Sequence, residues 1–336
     1  MSTLSDERVK AALAAVDSQT VTDLEKADML MEIAMSLQQK PRVVQDLHHA
    51  VSLYDRALGL CPAQDRLLAA RIRARKATAL NAIPHEGPEF IDQARRLLDS
   101  ALGELQREGS QEEVVEAEMN LGLTLQSLAV IGRARMSDAV AAYLRALRTF
   151  TRETHPSEYA ILHNNLATAY LSMPMAESGG KIREALAVQS FEEALKVVSL
   201  VERPVEYAML QNNLGNALQY ASSSHSVENN LRALAAYDEA LKVRNPKDTP
   251  LEYANTISNK ANALRNLPDD PSQPECGNRS NLRQAHRYLE EAKSIYHRFG
   301  DAAKVQLTMD VLRDLDQQSG SPPDASSHSF MKEARA

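Results

Sequence analysis

Three segments of the chain are closely similar: EYAILHNNLATAY (158–170), EYAMLQNNLGNAL (206–218) and EYANTISNKANAL (252–264). Their tyrosines, Tyr159, Tyr207 and Tyr253, are 48 and 46 residues apart. Self-similarity at a nearly constant spacing of this size is typical of proteins built from repeated supersecondary units. The three segments therefore predict a repeat architecture, and the same spacing can be followed along the rest of the chain.

A second pattern accompanies the first. It consists of an alanine, an aromatic residue or leucine four positions later, and another alanine three positions after that. It occurs six times, at Ala50-Tyr54-Ala57, Ala94-Leu98-Ala101, Ala139-Tyr143-Ala146, Ala187-Phe191-Ala194, Ala233-Tyr237-Ala240 and Ala285-Leu289-Ala292. Its last alanines are 44, 45, 48, 46 and 52 residues apart. Spacings of four and three put all three side chains on one stripe of an α-helix. The pattern predicts six units in register.

Each unit is predicted to be a pair of helices. The first helix carries apolar residues at helical spacing, such as Leu121, Leu125 and Leu128, and the second helix carries the alanine stripe. Small residues on the stripe let the paired helix come close, and the aromatic residue fills the gap between neighbouring pairs. A single pair cannot bury both of its faces, so the units are expected to stack into an all-α solenoid.

The overall composition narrows the classes of function. The chain has 336 residues and a net charge of −7, which disfavours a nucleic-acid binder. No run approaches 18 apolar residues, so we expect no membrane span. Cys61 and Cys276 are the only cysteines and lie in no metal spacing. No phosphate loop, nucleophile elbow or H-E-x-x-H motif occurs. We therefore expect a cytoplasmic protein that is not an enzyme and needs no metal or other cofactor.

These patterns resemble the tetratricopeptide repeat (TPR), a pair of helices with Leu-Gly or Leu-Ala in the first and alanine, aromatic residue, alanine in the second. The matching positions are Leu121-Gly122, Leu166-Ala167, Leu214-Gly215 and Ala57 followed by Pro62. The resemblance covers roughly residues 20–300 and implies a right-handed superhelical solenoid of about six helix-turn-helix repeats. The period of 44–52 exceeds the usual ~34 residues, mostly in the turn inside each pair. The sequence of the repeats is similar to that of long-period TPRs of bacterial proteins with caspase-like protease domains. It is also similar to the repeats of kinesin light chains, which bind extended cargo peptides.

The chain divides into four predicted regions. Residues 1–20 are expected to form an N-terminal capping helix, and residues 21–300 the TPR-like solenoid. Residues 301–318 are amphipathic, with Val305, Met309, Leu312 and Leu315 on one side, and are expected to form a C-terminal capping helix. Residues 319–336 are polar and rich in serine and proline, so we expect them to be disordered.

An asparagine recurs at one position of the first helices. Asn120, Asn165, Asn213 and Asn259 are spaced 45, 48 and 46 residues apart, and Asn164, Asn212 and Asn216 lie beside them. The resemblance places the first helices on the concave surface, where an asparagine of peptide-binding relatives bonds the ligand backbone. These seven residues are accordingly candidate peptide-binding residues. A second interpretation is open, in which the amides bond the neighbouring helix and set the stacking of the repeats.

The N-terminal half of the expected groove differs, because Arg71 and Arg75 lie four residues apart on one helix face. They are candidate binding residues for an acidic side chain or terminal carboxylate of a ligand. Alternatively, they pair with Glu32, Asp28 or Glu116 on flanking helices.

The function predicted from these observations is a non-catalytic scaffold, or an assembly or maturation chaperone, that holds an extended protein or peptide segment in its concave groove. One alternative is a regulatory protein that senses a peptide or metabolite. An accessory subunit of an enzyme comes third, because fold alone does not decide function.

Overall fold

The computed structural model describes residues 9–10, 13–14, 16–17, 21–84, 87–173, 180–221 and 225–320, with side chains as far as 317. Within these residues there are thirteen α-helices and one short 3₁₀ turn, and no strand. The chain falls into two compact units, residues 1–174 and 175–336. The prediction of an all-α protein built from stacked helix pairs is confirmed.

The first unit contains seven helices. They are α1 (Asp23–Gln39), α2 (Val44–Leu60), α3 (Arg66–Ala82), α4 (Gly87–Glu108), α5 (Gln111–Val130), α6 (Met136–Ala146) and α7 (Pro156–Ser172). Helices α1 and α2, α3 and α4, and α5 and α6 pack together as pairs. The first helices α1, α3, α5 and α7 also touch one another in turn, and we call this row the first-helix layer of the unit.

The second unit contains the remaining helices. They are α8 (Gly180–Leu195), α9 (Pro204–Tyr220), α10 (Ser226–Leu241), α11 (Pro250–Arg265), α12 (Arg279–Arg298) and α13 (Ala302–Gly320), with the 3₁₀ turn at Pro274–Cys276. Helices α9 and α10, and α11 and α12, pack as pairs, and α13 packs on α12. Helices α9 and α11 touch, and they form the first-helix layer of this unit. The two helices of the fourth predicted repeat, α7 and α8, belong to different units.

Local sequence explains where several helices begin. Helices α7, α9 and α11 each start with a proline, at Pro156, Pro204 and Pro250. Proline is well suited to the first helical position, because the N–H that it lacks would have no partner there. Helices α1 and α5 begin with reciprocal caps, formed by Thr22 with Glu25 and by Ser110 with Glu113.

The alanine stripe is the centre of the packing between helices. All eighteen residues of the six Ala-aromatic-Ala patterns are at most 1% exposed. Two glycines of the first helices lie against the aromatic rings, Gly122 against Tyr143 and Gly215 against Tyr237. A Cβ atom at either glycine would lie 2.5 Å from a ring carbon, so glycine is required for this close approach. The glycine of the Leu-Gly pattern and the aromatic ring of the Ala-aromatic-Ala pattern therefore pack directly against each other within a helix pair.

The ends of the chain are described only in part. Of residues 1–20, six are described, all in helical conformation, and Val16 is buried among α1–α3 side chains. Helix α13 buries Leu312 and Leu315 against α11 and α12. The predicted disordered tail, 319–336, lies outside the described residues except for the last two residues of α13. Among the described helices, none combines the length and hydropathy that a membrane span requires.

Candidate functional site

A cleft of about 180 Å³ opens in the first-helix layer of the first unit, between α1, α3 and α5. Three of the predicted binding residues line it: Arg71, Arg75 and Asn120. The spacing of four between the two arginines places them one turn apart on α3, as the sequence predicted.

Both arginines are already paired with carboxylates of α5. The Arg71 guanidinium bonds Glu113 twice, with Nε–Oε1 at 2.6 Å and Nη2–Oε2 at 3.3 Å. The Arg75 Nη1 atom donates to Oε1 of Glu116 at 2.7 Å. The bonds from Arg71 hold the pKa of Glu113 below its ordinary value, and the same bonds raise the pKa of Arg71. The pairing with Glu116 is the alternative that the sequence left open for Arg75.

Glu113 is a cleft residue that sequence reasoning missed. Its carboxylate also accepts a bond from the backbone N–H of Ser110 at 2.9 Å, so one side chain caps α5 and holds Arg71. The signal was present in the sequence, because a serine followed three residues later by glutamate marks the start of a helix. That start places Glu113 one turn before Glu116 on the helix beside α3.

The asparagines of the second unit form a chain of amide hydrogen bonds between α11 and α9. Asn259 Nδ2 donates to Asn212 Oδ1 at 3.3 Å, and Asn212 Nδ2 donates to Asn213 Oδ1 at 3.5 Å. Asn212 is buried, whereas Asn213 and Asn259 are half-buried. The bond between Asn259 and Asn212 is of the kind expected if these amides set repeat stacking.

The same arrangement of adjacent asparagines occurs on α7 in the first unit. Asn164 Nδ2 donates to Asn165 Oδ1 at 3.3 Å. Asn165 and Asn213 therefore have equivalent roles within their helices, since each accepts through its oxygen from the preceding asparagine. The Nδ2 groups of Asn165 and Asn213 donate to no acceptor among the described residues. Each of these two amides therefore has two N–H donors for a ligand.

The other two predicted asparagines are engaged within the protein. Asn120 Nδ2 donates to the backbone oxygen of Glu116 in its own helix at 3.0 Å. Asn216 Oδ1 accepts a bond from the hydroxyl of the buried Tyr237 at 2.7 Å. Asn216 thus holds the aromatic side chain of the α9–α10 pair.

Exposed apolar side chains flank Asn213 on α9. Val205, Met209 and Tyr220 are 75%, 37% and 69% exposed. Together with Asn213 and Asn216 they are spaced by four, four, three and four residues, which is one stripe of a helix. A stripe that combines amide donors with exposed apolar groups suits an extended peptide, which has backbone acceptors and side chains. No group of three metal-ligating side chains is found in the part of the chain that the structure describes.

Comparison with solved structures identifies the fold. A signal transduction ATPase with numerous domains from Pyrococcus horikoshii, which has a tetratricopeptide repeat sensor, matches with a TM-score of 0.57 and 14% identity. The match covers 89% of this chain and 40% of that chain, so this chain spans less than half the length of the ATPase. The described helices have the TPR fold, which confirms the resemblance seen in the sequence.

Two further structures are similar at lower TM-scores. A Rap protein complexed with competence and sporulation factor gives a TM-score of 0.46 at 12% identity, over 91% of this chain and 79% of that chain. The TPR2AB-domain:pHSP90 complex of yeast Sti1 gives a TM-score of 0.32 at 14% identity, over 87% and 99% of the two chains. No family model matches this chain. No curated protein sequence matches it at a significant level.

Proposed function

We propose that this protein is a non-catalytic interaction scaffold in which the first-helix layer of each unit binds extended peptide of a partner protein. The observation that carries the proposal is the orientation of two amides. Asn165 and Asn213 each turn their oxygen toward a neighbouring asparagine, which leaves their N–H donors for the backbone carbonyls of a ligand. The exposed apolar side chains beside Asn213 supply contacts for the side chains of the peptide.

The finer form of the proposal is an assembly or maturation chaperone that acts in the cytoplasm. A chaperone of this kind recognises a segment before the segment is packed into its final complex, so backbone recognition through amides suits it. Cys61 and Cys276 are free thiols, as is usual in a reducing compartment.

The proposal is tested by affinity capture from the native cell with the double variant Asn165→Ala and Asn213→Ala. Each substitution removes two N–H donors and leaves a ligand carbonyl unpaired, which costs about 1–3 kcal/mol per group. We expect the variant to bind its partner at least about tenfold more weakly. Its melting temperature should fall, because Asn164 and Asn212 each lose the acceptor of one amide N–H, but the variant should remain folded at the temperature of the capture assay.

Asn266→Ala is the matched control. Its amide is exposed at the end of α11 and, among the residues that the structure describes, bonds only the backbone of its own helix, at Asn262. The control is expected to capture the same partner as the parent chain. If the double variant captures every partner as well as the parent does, the proposed role of Asn165 and Asn213 is wrong.

A further inference from the structure

We infer that the cleft between α1, α3 and α5 binds a basic side chain, an arginine or lysine, of the peptide that the scaffold holds. This inference rests on the proposed function and names the chemistry of one part of the ligand. It also reverses the sequence-based interpretation of Arg71 and Arg75 as receptors of a carboxylate.

The first step is the charge balance of the cleft. Its charged lining consists of Arg71 and Arg75 against Glu32, Glu113 and Glu116, two cations against three carboxylates, which gives a net charge of −1. The carboxylate of Asp28, one turn before Glu32 on α1, adds to the negative electrostatic potential at Arg71. The cleft therefore attracts cations, although two arginines are its most obvious charged residues.

The second step is which charges are already compensated. Both arginines bond a carboxylate of α5, whereas no cation bonds Glu32 among the described residues. A ligand carboxylate could reach only the Nε and Nη2 donors that Glu116 leaves on Arg75, and it would be a fourth carboxylate beside two cations. An incoming ammonium or guanidinium breaks no existing pair, because Glu32 and the second oxygen of Glu116 remain to accept from it.

The third step is the shape and the apolar part of the cleft. Its volume of about 180 Å³ suits a single side chain, since a cavity of roughly 150 Å³ already holds a benzene molecule. Met31 and Met35 on α1 line it beside Glu32. The thioether side chains are unbranched and adaptable, so they can pack along the methylene stem of an arginine or lysine while the charged end reaches the carboxylates.

The test uses three capped pentapeptides, Ala-Ala-X-Ala-Ala, in which X is arginine, glutamine or aspartate. The protein is labelled with ¹³C at the methionine methyl groups, so that Met31 and Met35 report on the cleft. Met209 and Met309, both in the second unit, report on binding elsewhere. We expect the arginine peptide to shift the Met31 and Met35 signals saturably, with a Kd at least fivefold lower than that of the aspartate peptide, and the difference to shrink as salt rises.

Two variants with the same loss of charge sharpen the test. Glu32→Gln removes the cleft carboxylate that no described cation bonds, and Glu112→Gln removes an exposed carboxylate of α5 that does not line the cleft. We expect Glu32→Gln to weaken binding of the arginine peptide at least twofold and to leave binding of the glutamine peptide unchanged. Glu112→Gln should leave both unchanged.

Each opposite result overturns the inference. A lower Kd for the aspartate peptide would restore the carboxylate interpretation. Equal effects of the two variants would show that the preference for the arginine peptide comes from the net charge of the protein and not from the cleft. Absence of any shift at Met31 and Met35 up to about 10 mM peptide would show that the cleft binds none of these side chains. These results are independent of capture by the Asn165 and Asn213 variant, so the two proposals fail separately.

Discussion

At the scale of single residues, the contact between a glycine and a tyrosine ring decides how close the helices of a pair come. Alanine favours a helix by about 0.5–1 kcal/mol over glycine. At Gly122, however, an added methyl group would lie 2.5 Å from a ring carbon of Tyr143. We expect Gly122→Ala to lower the free energy of unfolding by about 1–3 kcal/mol, because overpacking outweighs the gain in helix propensity.

The matched control for this prediction is Gly103→Ala in the interior of α4. A Cβ atom there would have no neighbour within 4 Å, so only the gain in helix propensity remains. Gly103→Ala should therefore raise the urea midpoint, whereas Gly122→Ala should lower it. A raised midpoint for Gly122→Ala as well would show that the glycine is not needed for the approach of α5 and α6.

The buried tyrosines predict how stability depends on pH. Burial raises the pKa values of Tyr54, Tyr143 and Tyr237 well above the ordinary value of about 10. Above pH 10 the unfolded chain loses these protons while the folded protein keeps them. The contribution of these tyrosines to the free energy of unfolding is therefore fully present below about pH 10. It falls as the pH rises further, by about 1.4 kcal/mol per pH unit for each tyrosine.

Urea titrations between pH 8 and 11 measure this slope, and Tyr143→Phe assigns it. The variant loses the hydrogen bond of 2.8 Å from the Tyr143 hydroxyl to Gln126. This loss should lower the free energy of unfolding by about 1 kcal/mol at neutral pH. Above pH 10 its slope should be less steep than that of the parent. Identical slopes would mean that Tyr143 ionises in the folded protein.

The neighbouring residues Asn212 and Asn213 have different predicted roles. Asn212 links α11 to Asn213, so Asn212→Ala leaves a donor of Asn259 and the oxygen of Asn213 unpaired. We expect Asn212→Ala to lower the free energy of unfolding by about 1–3 kcal/mol. Asn213→Ala should affect stability less and partner capture more. Calorimetry measures the stability of the two single variants, and affinity capture measures their binding to the partner. Reversed effects would mean that Asn213 sets the stacking and Asn212 binds the partner.

At the scale of elements, α13 covers the end of the second unit. Leu315 is 1% exposed within a cluster that includes Leu264, Leu282 and Leu289, whereas Leu307 on the same helix is 66% exposed. Leu315→Ala should lower the free energy of unfolding by about 2–5 kcal/mol, and Leu307→Ala should leave it nearly unchanged. Thermal unfolding followed by circular dichroism measures both. Equal, small effects would show that α13 does not stabilise the unit.

The amphipathic pattern of α13 could be predicted from the sequence, but not its buried stripe in full. The sequence places Met309 on the packed side, whereas Met309 is 43% exposed and Thr308 is 3% exposed. The buried positions 308, 312 and 315 follow helical spacing, so the threonine occupies the place expected for an apolar residue. Its hydroxyl donates to Lys304 O at 2.7 Å, and this bond inside the helix makes a polar residue acceptable there.

The first-helix layers show a similar limit at the candidate site. The repeat spacing alone predicts that Asn165 and Asn213 occupy equivalent places on α7 and α9. It does not predict that each accepts from the asparagine before it, because amide orientation depends on the neighbouring side chains. Likewise, the sequence predicts that Arg71 and Arg75 share a face, but their pairing with Glu113 and Glu116 requires the packing of α3 on α5.

At the scale of the whole molecule, the packing is local along the chain. Buried side chains of the described residues form clusters of consecutive helices, one in α1–α3, one that runs from α2 to α7, and two in α11–α13. In repeat proteins of this kind, stability is approximately a sum of intrinsic and nearest-neighbour terms. Damage in one pair should therefore spread to adjacent helices and decay with distance along the sequence.

Hydrogen exchange on Tyr237→Ala tests this locality. The side chain is fully buried and bonded to Asn216 and Gln219, so truncation should cost about 3–5 kcal/mol. Amide exchange should rise in α9–α12, while α1–α3 keep the protection of the parent protein. Tyr54→Ala, the equivalent change in the first pair, should show the opposite distribution. A uniform rise along the whole chain in either variant would mean that the molecule unfolds as one cooperative body and that nearest-neighbour energetics do not describe it.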